Sequence, residues 1–252
     1  MEKRSDIQIY VLSHKPIDYQ REDALYTPLQ QGFYPENLWA LRDNTGDNIA
    51  EWNGLYAENT AFYWIWKSHP ESLRYIGQTQ YRRRLEFPEN QDFDALFKDY
   101  DVITMTPIRV GFSVQDFYGR VHCSDDIQRA ERIVRELYPD LAGQWDRIMK
   151  LSPEMLYSNG YIMPAEHYAR YAEFLFPVLE RFREERGWDT PEKAYADCER
   201  EIAERKRNGA LGAKYQAQVL AFLSERLWTF YCFATYPRER ILFKDYLKFE
   251  GC

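Results

Sequence analysis

The sequence has few cysteines and no apolar segment long enough to cross a membrane. Its four cysteines form no Cys-x-x-Cys pair, which argues against a zinc ribbon or a disulfide framework. The first apolar segment, IQIYVL, is too short for the apolar region of a signal peptide or for a membrane span. We therefore expect a cytoplasmic protein with reduced thiols at Cys123, Cys198, Cys232 and Cys252.

An excess of positive charge is also lacking, because the formal net charge is -7 at pH 7. A protein that binds the phosphates of nucleic acid usually carries a broad basic face, so the acidic balance argues against that class. A glycine-rich phosphate loop, the GxSxG nucleophile motif and the HExxH metal motif are absent as well. On this chemistry alone, the sequence predicts an α/β enzyme that handles an anionic small molecule.

The chain is rich in aromatic residues, which make up 17% of its 252 residues. That length fits one large domain with a sizeable core. Apolar patterning predicts strands alternating with helices in the first two-thirds, then a mainly helical end, with a flexible loop at 206–212. Asn48 and Glu51 resemble a capping box that opens the first helix. The predicted strands are 7–12, 73–77, 100–105 and 161–163, and the predicted helices are 49–67, 124–137, 140–150, 165–185, 191–207 and 215–235.

Three consecutive arginines follow the second predicted strand. Tyr81, Arg82, Arg83 and Arg84 lie past the carboxyl end of that strand, where α/β sheets bind ligands. Arginine forms bidentate bonds to phosphate oxygens and stays charged near neutral pH, so the cluster predicts a phosphorylated substrate. In the alternative interpretation, the arginines pair with the acids that follow them, which are Glu86, Glu89, Asp92 and Asp94.

Two acidic groups could belong to a site or to the fold. Asp43, Asp47 and Asn48 lie in a segment of turn-forming residues, where they could hydrogen-bond a base or sugar or simply form a turn and a helix cap. Glu225 lies on an otherwise apolar helix. It could be a catalytic base with a shifted pKa or, with Arg226, a buried ion pair.

Two further groups lie beside predicted element boundaries. His122 and Asp125 could take part in proton transfer, although a lone histidine is more often structural and an aspartate at a helix start complements the helix dipole. Asn159 and Gly160 precede a predicted strand, where a glycine allows another group to approach closely.

Taken in order, several segments resemble a known family: IYVLSHKP, RDNTGDNIAEWNGLYAENTAFYWIWK, YIGQTQYRRRL, NGYIMPAEHY and FLSERLWTFY. They are similar to the bacterial capsular and exopolysaccharide biosynthesis family catalogued as domain of unknown function 4422, whose members are regarded as glycosyltransferases. The resemblance spans about residues 6–232 and is most specific in DNTGDNI and YRR. The family's histidine before Tyr-Arg-Arg is Gln80 here, and its following aromatic residue is Arg84.

This resemblance implies the fold and the domain organisation. It implies a single GT-A-like nucleotide-diphospho-sugar transferase domain at 1–235, with a mixed, mostly parallel central sheet flanked by helices and a mainly helical C-terminal third. The donor half is expected at about 1–120, the acceptor half at about 121–235, and a C-terminal tail at 236–252.

It also implies a glycosyltransferase that uses a UDP-sugar, with galactofuranose or galactose as the sugar. The acceptor would be a lipid-linked or oligosaccharide glycan of capsular polysaccharide, exopolysaccharide or lipopolysaccharide O-antigen. No metal site is predicted, because the arginines could neutralise the departing diphosphate in place of an Asp-x-Asp-bound metal, with manganese or magnesium as the alternative. The expected catalytic residues are Glu225, His122 and Asp125, the expected acceptor-binding residues are Asn159, Gly160 and Arg226, and the expected donor-binding residues are Ser13, His14, Lys15, Asp43, Asp47, Asn48, Tyr81, Arg82 and Arg83.

The sequence leaves two rival functions open. A catalytically inactive sugar-nucleotide-binding subunit of a polysaccharide assembly complex is favoured by Gln80 in place of the family histidine. A sugar nucleotidyltransferase would need a glycine-rich N-terminal loop, which SHKPIDYQ lacks. For the glycosyltransferase we expect a cytoplasmic location with peripheral contact to the inner face of the plasma membrane through the basic and aromatic segment 236–244, or else that segment packed on the core.

Overall fold

The computed structural model describes residues 4–14, 24–32, 41–207 and 217–248, and most of its strands form one mixed sheet. The main strands of this sheet run in the order β2–β1–β3–β8–β5–β9, and the short strands β4 and β10 extend it beyond the end of β3. These strands are β1 Ile7–Ser13, β2 Tyr26–Gln30, β3 Tyr75–Gln80, β4 Arg83–Arg84, β5 Val102–Met105, β8 Tyr161–Pro164, β9 Ile241–Lys244 and β10 Leu247–Lys248, while β6 Ile108–Arg109 and β7 Glu154–Met155 form a separate pair.

The longest ladders of the sheet are parallel. Strand β1 pairs in parallel with β2 on one side and with β3 on the other, and β5 pairs in parallel with β9. Strand β8 is antiparallel to both β3 and β5, between which it lies. The expected mixed, mostly parallel sheet flanked by helices is therefore confirmed.

Helices cover both faces of the sheet, and most of them lie in the second half of the chain. Three helices have the bounds that the apolar periodicity predicts: α5 Ser124–Leu137, α7 Ala165–Glu185 and α8 Pro191–Arg207. The others are α1 Asn53–Tyr56, α2 Asn59–Ser68, α3 Phe93–Asp99, α4 Val114–Val121, α6 Pro139–Ala142 and α9 Val219–Thr235, with a π-helical turn at Asp146–Lys150 and 3-10 turns at Ala50–Trp52 and Arg238–Arg240.

The core has two layers because β1 is buried on both faces. Ile7, Ile9 and Val11 point toward the smaller layer, which includes residues of α3, while Tyr10 and Leu12 point toward the larger one. The larger layer is built around aromatic rings, which bury much apolar surface and pack in edge-to-face, stacked and tilted arrangements. Phe62 of α2 meets the rings of Tyr161, Tyr168 and Tyr171 at centroid distances of 5.9, 4.9 and 5.2 Å, and Trp228 of α9 meets Tyr161 at 4.6 Å.

The prediction of one continuous helix at 49–67 is wrong. The chain forms a 3-10 turn, α1 and α2, and Ala57, with φ 45°, interrupts the helical path between α1 and α2. The expected capping box is also not formed. The N-cap residue of the 3-10 turn is Ile49, which makes no side-chain cap bond, and Asn48 Oδ1 instead accepts a hydrogen bond from the Ala50 N–H at 3.1 Å.

Other expected elements have different bounds. The helix expected at 140–150 is α6 followed by the π-helical turn, and most of the loop expected at 206–212 lies outside the described residues. The segment set apart as a tail contributes β9 and β10 to the central sheet. Its position corresponds to the alternative interpretation of 236–244, in which the segment packs on the core. Within the described ranges, no helix is long and apolar enough to cross a membrane.

A close approach between strands depends on Gly77 in β3. A Cβ atom added there would lie 2.7 Å from Ile162 Cγ1 and 3.1 Å from Ile9 Cγ1, both on neighbouring strands. Because these branched side chains fill the space on that face, a larger residue would force the strands or the rotamers apart. The absence of a side chain at Gly77 therefore leaves room for Ile9 of β1 and Ile162 of β8, the two strands that pair with β3.

We predict that Gly77→Ala lowers the free energy of unfolding by about 1–3 kcal/mol, because overpacking a buried site costs that much. Gly143→Ala is the matched control: Gly143 has φ -57° and nothing within 4 Å of an added Cβ atom. Urea unfolding of both variants measures the effect. Equal stability of the two variants would contradict the packing argument.

Candidate active site at the carboxyl ends of the first three strands

A cavity lies at one edge of the sheet, where β1, β2 and β3 end. Because the three strands are parallel and in register, with Leu12 opposite Gln80 and Ser13 opposite Gln30, their carboxyl ends meet at the same place. Ligands of α/β sheets bind at this edge. The cavity has a volume of about 420 Å³, and the described residues that line it are Leu12, His14, Gln31, Asn53, Gly54, Ala57, Glu58, Gln80, Tyr81, Arg82 and Gln218.

The lining is polar and carries one group of each charge. Among the described residues, Glu58 is its one carboxylate and Arg82 its one guanidinium. Its four side-chain amides belong to Gln31, Asn53, Gln80 and Gln218. Because an amide both donates and accepts hydrogen bonds, such a lining can bind hydroxyl groups while the guanidinium binds an anion.

Glu58 is a buried carboxylic acid held by two amides. Its Oε1 accepts hydrogen bonds from Gln80 Nε2 at 3.0 Å and from Asn159 Nδ2 at 3.1 Å. Burial raises the pKa of Glu58 to about 7, the nearby Glu225 charge adds to this, and the two amide bonds oppose it. Near neutral pH the Glu58 side chain can therefore both take up and release a proton.

A buried hydrogen-bond network behind the cavity fixes Asn159. Ser224 Oγ on α9 accepts from Asn159 Nδ2 at 3.0 Å and from Asn59 Nδ2 at 2.8 Å. Gln78 Nε2 donates to the Asn159 backbone oxygen at 3.0 Å, and Gln78 Oε1 accepts from the Tyr168 hydroxyl at 2.7 Å. The network links β3, α2, α7 and α9 to the turn before β8 that carries Asn159, so the amide that binds Glu58 has little freedom to move.

Unfavourable backbone conformations occur next to both partners of this contact. Ala57 has φ 45° and Ser158 has φ 89°, and they are the two non-glycine residues with positive φ among the described residues. Ala57 directly precedes Glu58, and Ser158 directly precedes Asn159. Such conformations cost about 1–3 kcal/mol each and cluster at functional sites, where the surrounding structure enforces them.

The three consecutive arginines have three different environments. Arg82 is exposed and lines the cavity, its guanidinium carbon lies 5.1 Å from the centre of the Tyr81 ring, and among the described residues no carboxylate forms an ion pair with it. Arg83 is half-buried, 4.5 Å from the Tyr157 ring centre and 3.5 Å from Gln80 Oε1. Arg84 is fully buried, with its Nη2 at 3.9 Å from Glu86 Oε1. Pairing with following acids, the alternative interpretation, is thus seen for Arg84, whereas Asp94 is bound to Arg74.

The other predicted donor-binding residues divide into two groups. His14 and Tyr81 line the cavity, with ring centroids 5.8 Å apart, and Ser13 is buried at the end of β1. Lys15 lies outside the described residues. Asp43 is buried and accepts hydrogen bonds from the Gly32 N–H at 2.8 Å and the Thr60 hydroxyl at 2.6 Å.

Asp43 therefore holds the chain beside the cavity rather than lining it. Burial raises its pKa to about 6, which its two hydrogen bonds oppose. Asp47 and Asn48 are outside the lining: Asp47 is exposed and accepts from the Tyr63 hydroxyl at 3.2 Å, and Asn48 binds its own turn. The structure thus favours the turn interpretation for Asp47 and Asn48.

Three of the predicted catalytic and acceptor residues meet in one buried chain of contacts. Arg226 Nη1 lies 2.6 Å from Glu225 Oε2, and Arg226 Nη2 lies 3.3 Å from His122 Nε2. Arginine can only donate, so His122 Nε2 is the acceptor, and burial with the Arg226 charge lowers the pKa of His122 to about 3. A neutral imidazole whose lone pair is already engaged is a poor proton acceptor.

Glu225 and Arg226 form the buried ion pair that was the alternative interpretation of this segment. Burial raises the pKa of Glu225, while Arg226 and Arg83 oppose the rise. Neither residue lines the cavity. Asp125 is exposed at the start of α5, apart from this pair.

Asn159 and Gly160 have different roles in the structure. Asn159 is buried and contacts Glu58, as described above, whereas Gly160 packs against the core. A Cβ atom added at Gly160 would overlap Met105 Cε, and the Gly160 backbone oxygen accepts from the Thr104 hydroxyl at 2.9 Å. The glycine allows the close approach of a core methionine.

Glu58 was missed in the sequence analysis, although a signal for it exists. It is the one acidic residue between Glu51 and Glu71, within the aromatic-rich segment WNGLYAENTAFYWIWK. An acid in an apolar helical segment was the criterion that selected Glu225, and it selects Glu58 equally. The expected continuous helix hid the break at Ala57, which turns Glu58 toward the cavity.

The described residues line a second cavity but offer no candidate metal centre. Across the described ranges, no group of three or more His, Cys, Asp or Glu side chains could hold a metal ion. A second cavity, of about 430 Å³, lies beside the C-terminal end of α9 and includes Arg147, Glu154 and Arg238. Arg238 and Glu154 there already pair at 2.7 Å, and the start of β9 is at the edge opposite the carboxyl ends of the parallel strands. The first cavity is therefore the stronger candidate.

We predict that burial of Glu58 destabilises the fold at high pH. Its folded pKa of about 7 exceeds its ordinary value of 4.5, so the unfolding free energy falls as pH rises through that interval. Glu58→Gln should thus be more stable than wild type at pH 8, by up to about 3 kcal/mol, and the gain should vanish near pH 4.5. Thermal unfolding at several pH values measures this.

The exposed Glu51→Gln, the same change on the same segment, is the control and should match wild type in stability at pH 8. A constant difference between Glu58→Gln and wild type from pH 4.5 to 8 would contradict the raised pKa.

One solved structure has a similar fold, and one family model matches this chain. A solved structure described as the WbbM bifunctional glycosyltransferase in its apo form aligns with a TM-score of 0.76 and 22% sequence identity, and at that identity the likeness shows the fold alone. The alignment covers 98% of this chain and 46% of that one, so this chain spans less than half of that protein's length. Among curated proteins, none matches. The family described as domain of unknown function DUF4422 matches residues 8–235, and the chain is therefore a member of that family.

Proposed function

We propose that this chain is a glycosyltransferase that moves a sugar from a UDP-sugar, carrying galactose or galactofuranose, to a glycan acceptor. The acceptor would be a lipid-linked or oligosaccharide precursor of capsular polysaccharide, exopolysaccharide or O-antigen. The fold is consistent with this activity, since the aligned WbbM structure is described as a bifunctional glycosyltransferase. The proposal rests mainly on the chemistry of the cavity.

The observation that carries the proposal is the presence of both Glu58 and Arg82 in the lining of one polar cavity at the carboxyl ends of β1–β3. Glycosyl transfer from a nucleotide sugar needs a cation where the diphosphate leaves and polar groups that orient the hydroxyls of the sugar. Arg82 supplies the first requirement, and the four amides of the lining supply the second. A cavity of about 420 Å³ is in the usual range for small-molecule sites.

Arg82 is the group that we assign to the diphosphate. It is exposed and, within the described ranges, forms no ion pair with a carboxylate, so its charge is available to a ligand. The negative charge on the diphosphate grows as the sugar leaves, and a guanidinium held beside it stabilises that change. Arg83, assigned to the diphosphate from the sequence, contacts Tyr157 and Gln80 and does not line the cavity.

The rival with no catalytic activity is less well supported. It was favoured by Gln80 in place of the family histidine, but Gln80 Nε2 donates to Glu58 at 3.0 Å and so holds an ionisable group in the cavity. A pure binding subunit would have no need for a buried acid there. We therefore propose that the amide at position 80 serves the same site rather than marking its loss.

The cellular setting is part of the proposal. A lipid-linked acceptor would bring the protein to the inner face of the plasma membrane without insertion. The segment suggested to touch lipid is partly engaged elsewhere, because Arg238 pairs with Glu154 and lies over the Phe233 and Phe243 rings at 5.1 and 4.6 Å. Membrane contact by this segment would thus be weak.

The proposal predicts slow release of UDP from at least one UDP-sugar, with UDP-galactose and UDP-galactofuranose first in the panel. Because Arg82 provides positive charge at the diphosphate, we expect activity to persist in EDTA. Coupled detection of UDP, with and without EDTA and added manganese, measures both points. Failure to release or bind UDP would refute the glycosyltransferase, whereas activity lost in EDTA and restored by manganese would refute only the arginine's role.

Removal of the Arg82 charge should weaken nucleotide binding. We predict that Arg82→Ala raises the dissociation constant for UDP by about tenfold to a hundredfold, since a hydrogen bond to a charged group contributes about 1.5–3 kcal/mol. Arg200→Ala is the matched control, because Arg200 is 73% exposed on α8 and outside the cavity. Isothermal titration with UDP compares them. Equal affinity of both variants would place the diphosphate elsewhere.

A further inference from the structure

We propose that Glu58 is the general base that takes the proton from the acceptor hydroxyl, and that Gln80 and Asn159 position its carboxylate. This inference rests on the proposed glycosyl transfer and names the residue that would perform its proton transfer. It replaces Glu225, the base expected from the sequence, by a residue on a different element.

The two oxygens of Glu58 are in different situations. Oε1 accepts from both Gln80 Nε2 and Asn159 Nδ2, which fixes the plane of the carboxylate. Oε2 has no hydrogen-bond partner in the part of the chain that the structure describes, and it is not among the fully covered polar atoms. Since Glu58 lines the cavity, Oε2 is the oxygen available to a ligand.

The backbone indicates that this position is enforced. Ala57 and Ser158 carry the positive φ angles, and they flank the two residues whose side chains meet at 3.1 Å. A helix that ran straight through 57 would place Glu58 elsewhere on its surface. The cost of two such conformations argues that the Glu58–Asn159 contact serves a function, because strain of this kind persists where the surrounding structure imposes it.

The electrostatic surroundings suit proton transfer near neutral pH. Burial sets the pKa of Glu58 to about 7. Glu225 on α9 raises it by repulsion, and the buried hydroxyls of Tyr161 and Tyr171 feel the Glu58 charge in turn. The charged or titratable groups of the surrounding elements are Glu225, Arg226, Arg82, Arg83, His14, Tyr81, Tyr161 and Tyr171.

Glu225 is less suited to act as the base. Its Oε2 is 2.6 Å from Arg226 Nη1, and the residue lies outside the cavity lining. A carboxylate in a close ion pair must give up that pair to take a proton. Glu225 is instead a positioning residue in this proposal, since its negative charge keeps the proton affinity of Glu58 high.

The proposed step balances as follows. The acceptor oxygen attacks the anomeric carbon and forms the new glycosidic bond, while the bond from that carbon to the donor's phosphate oxygen breaks. The UDP oxygen leaves with the electron pair of the broken bond, next to Arg82. The acceptor's proton passes to Glu58 Oε2 and then to solvent. Attack opposite the leaving group inverts the anomeric configuration.

The experiment compares wild type, Glu58→Gln and Glu58→Asp, with Glu51→Gln as the control on the same segment. The assay uses UDP-galactofuranose and UDP-galactose with an octyl galactoside acceptor. We expect Glu58→Gln to lose about a hundredfold or more in kcat while its dissociation constant for UDP stays within about threefold of wild type. Glu58→Asp should keep more activity than Glu58→Gln, because it still carries a carboxylate. Glu51→Gln should behave as wild type.

The pH profile separates a base from a structural residue. For wild type, kcat/KM should fall on the acid side with a pKa near 7, and Glu58→Gln should lack that limb. Glu225→Gln removes the neighbouring negative charge, so its acid limb should move to lower pH while its kcat at pH 8 stays within about tenfold of wild type. A merely structural role for Glu58 would leave the acid limb in place in every folded variant.

Several outcomes would overturn the assignment. If folded Glu58→Gln turns over within tenfold of wild type, or if NMR of the product shows retention of the anomeric configuration, Glu58 is not the base. A Glu225→Gln variant that binds UDP but loses activity as severely as Glu58→Gln would return the role to Glu225. If wild type neither binds UDP nor releases it from any donor, the proposed function is wrong and this assignment is wrong with it.

Discussion

The candidate site depends on one constraint: a carboxylate is buried at the sheet edge and must be hydrogen-bonded there. Burial of an ionised group is costly unless neighbouring groups compensate. Here the compensation comes from two neutral amides, Gln80 and Asn159, rather than from an arginine. Neutral partners lower the cost of ionising the buried carboxyl group, but they do not hold it ionised as an ion pair would. This is the difference between Glu58 and Glu225, whose partner Arg226 lies 2.6 Å away.

The sheet topology explains how these groups come together from distant parts of the sequence. Parallel pairing of β1, β2 and β3 brings their carboxyl ends to one edge, and Gln80 is the last residue of β3. Strand β8 is antiparallel to β3, with Gln78 opposite Tyr161, so it begins at the edge where β3 ends. Asn159, just before β8, is thereby brought to the end of β3. One reversed strand within the sheet thus supplies the amide that the carboxylate needs.

Sequence patterns predicted the elements whose periodicity is long and regular. The bounds of α5, α7 and α8 follow from apolar spacing, and β1 from a continuous apolar run that fits a strand buried on both faces. Short strands such as β4, β9 and β10 carry too few residues to show a period. The break between α1 and α2 was equally hidden, because Ala57 is an ordinary helix former and is held at positive φ by its surroundings.

The same limit applied to the site. The sequence identified the strand end and the arginines, because their spacing along the chain is local. It could not distinguish Glu58 from Glu225, since both are single acids in apolar helical segments. The distinction lies in long-range contacts: Asn159 is 101 residues from Glu58, and the Asn59–Ser224 bond of the supporting network spans 165 residues. Such contacts are set by strand order, which a local pattern does not contain.

The arginine cluster shows how adjacent charges can be separated by the backbone. Side chains alternate across a strand, so Arg83 and Arg84 in β4 point to opposite faces, while Arg82 precedes the strand in a turn. Arg84 enters the core, and Arg83 packs on Tyr157. Repulsion among the three guanidiniums is thus reduced because the side chains point in different directions, and not because acidic residues lie between them. The consequence is that only Arg82 remains exposed in the cavity, on the same edge as Glu58, in a chain whose net charge is -7. An exposed guanidinium and a buried carboxylate therefore lie in one cavity, and the proposed diphosphate site depends on this arrangement.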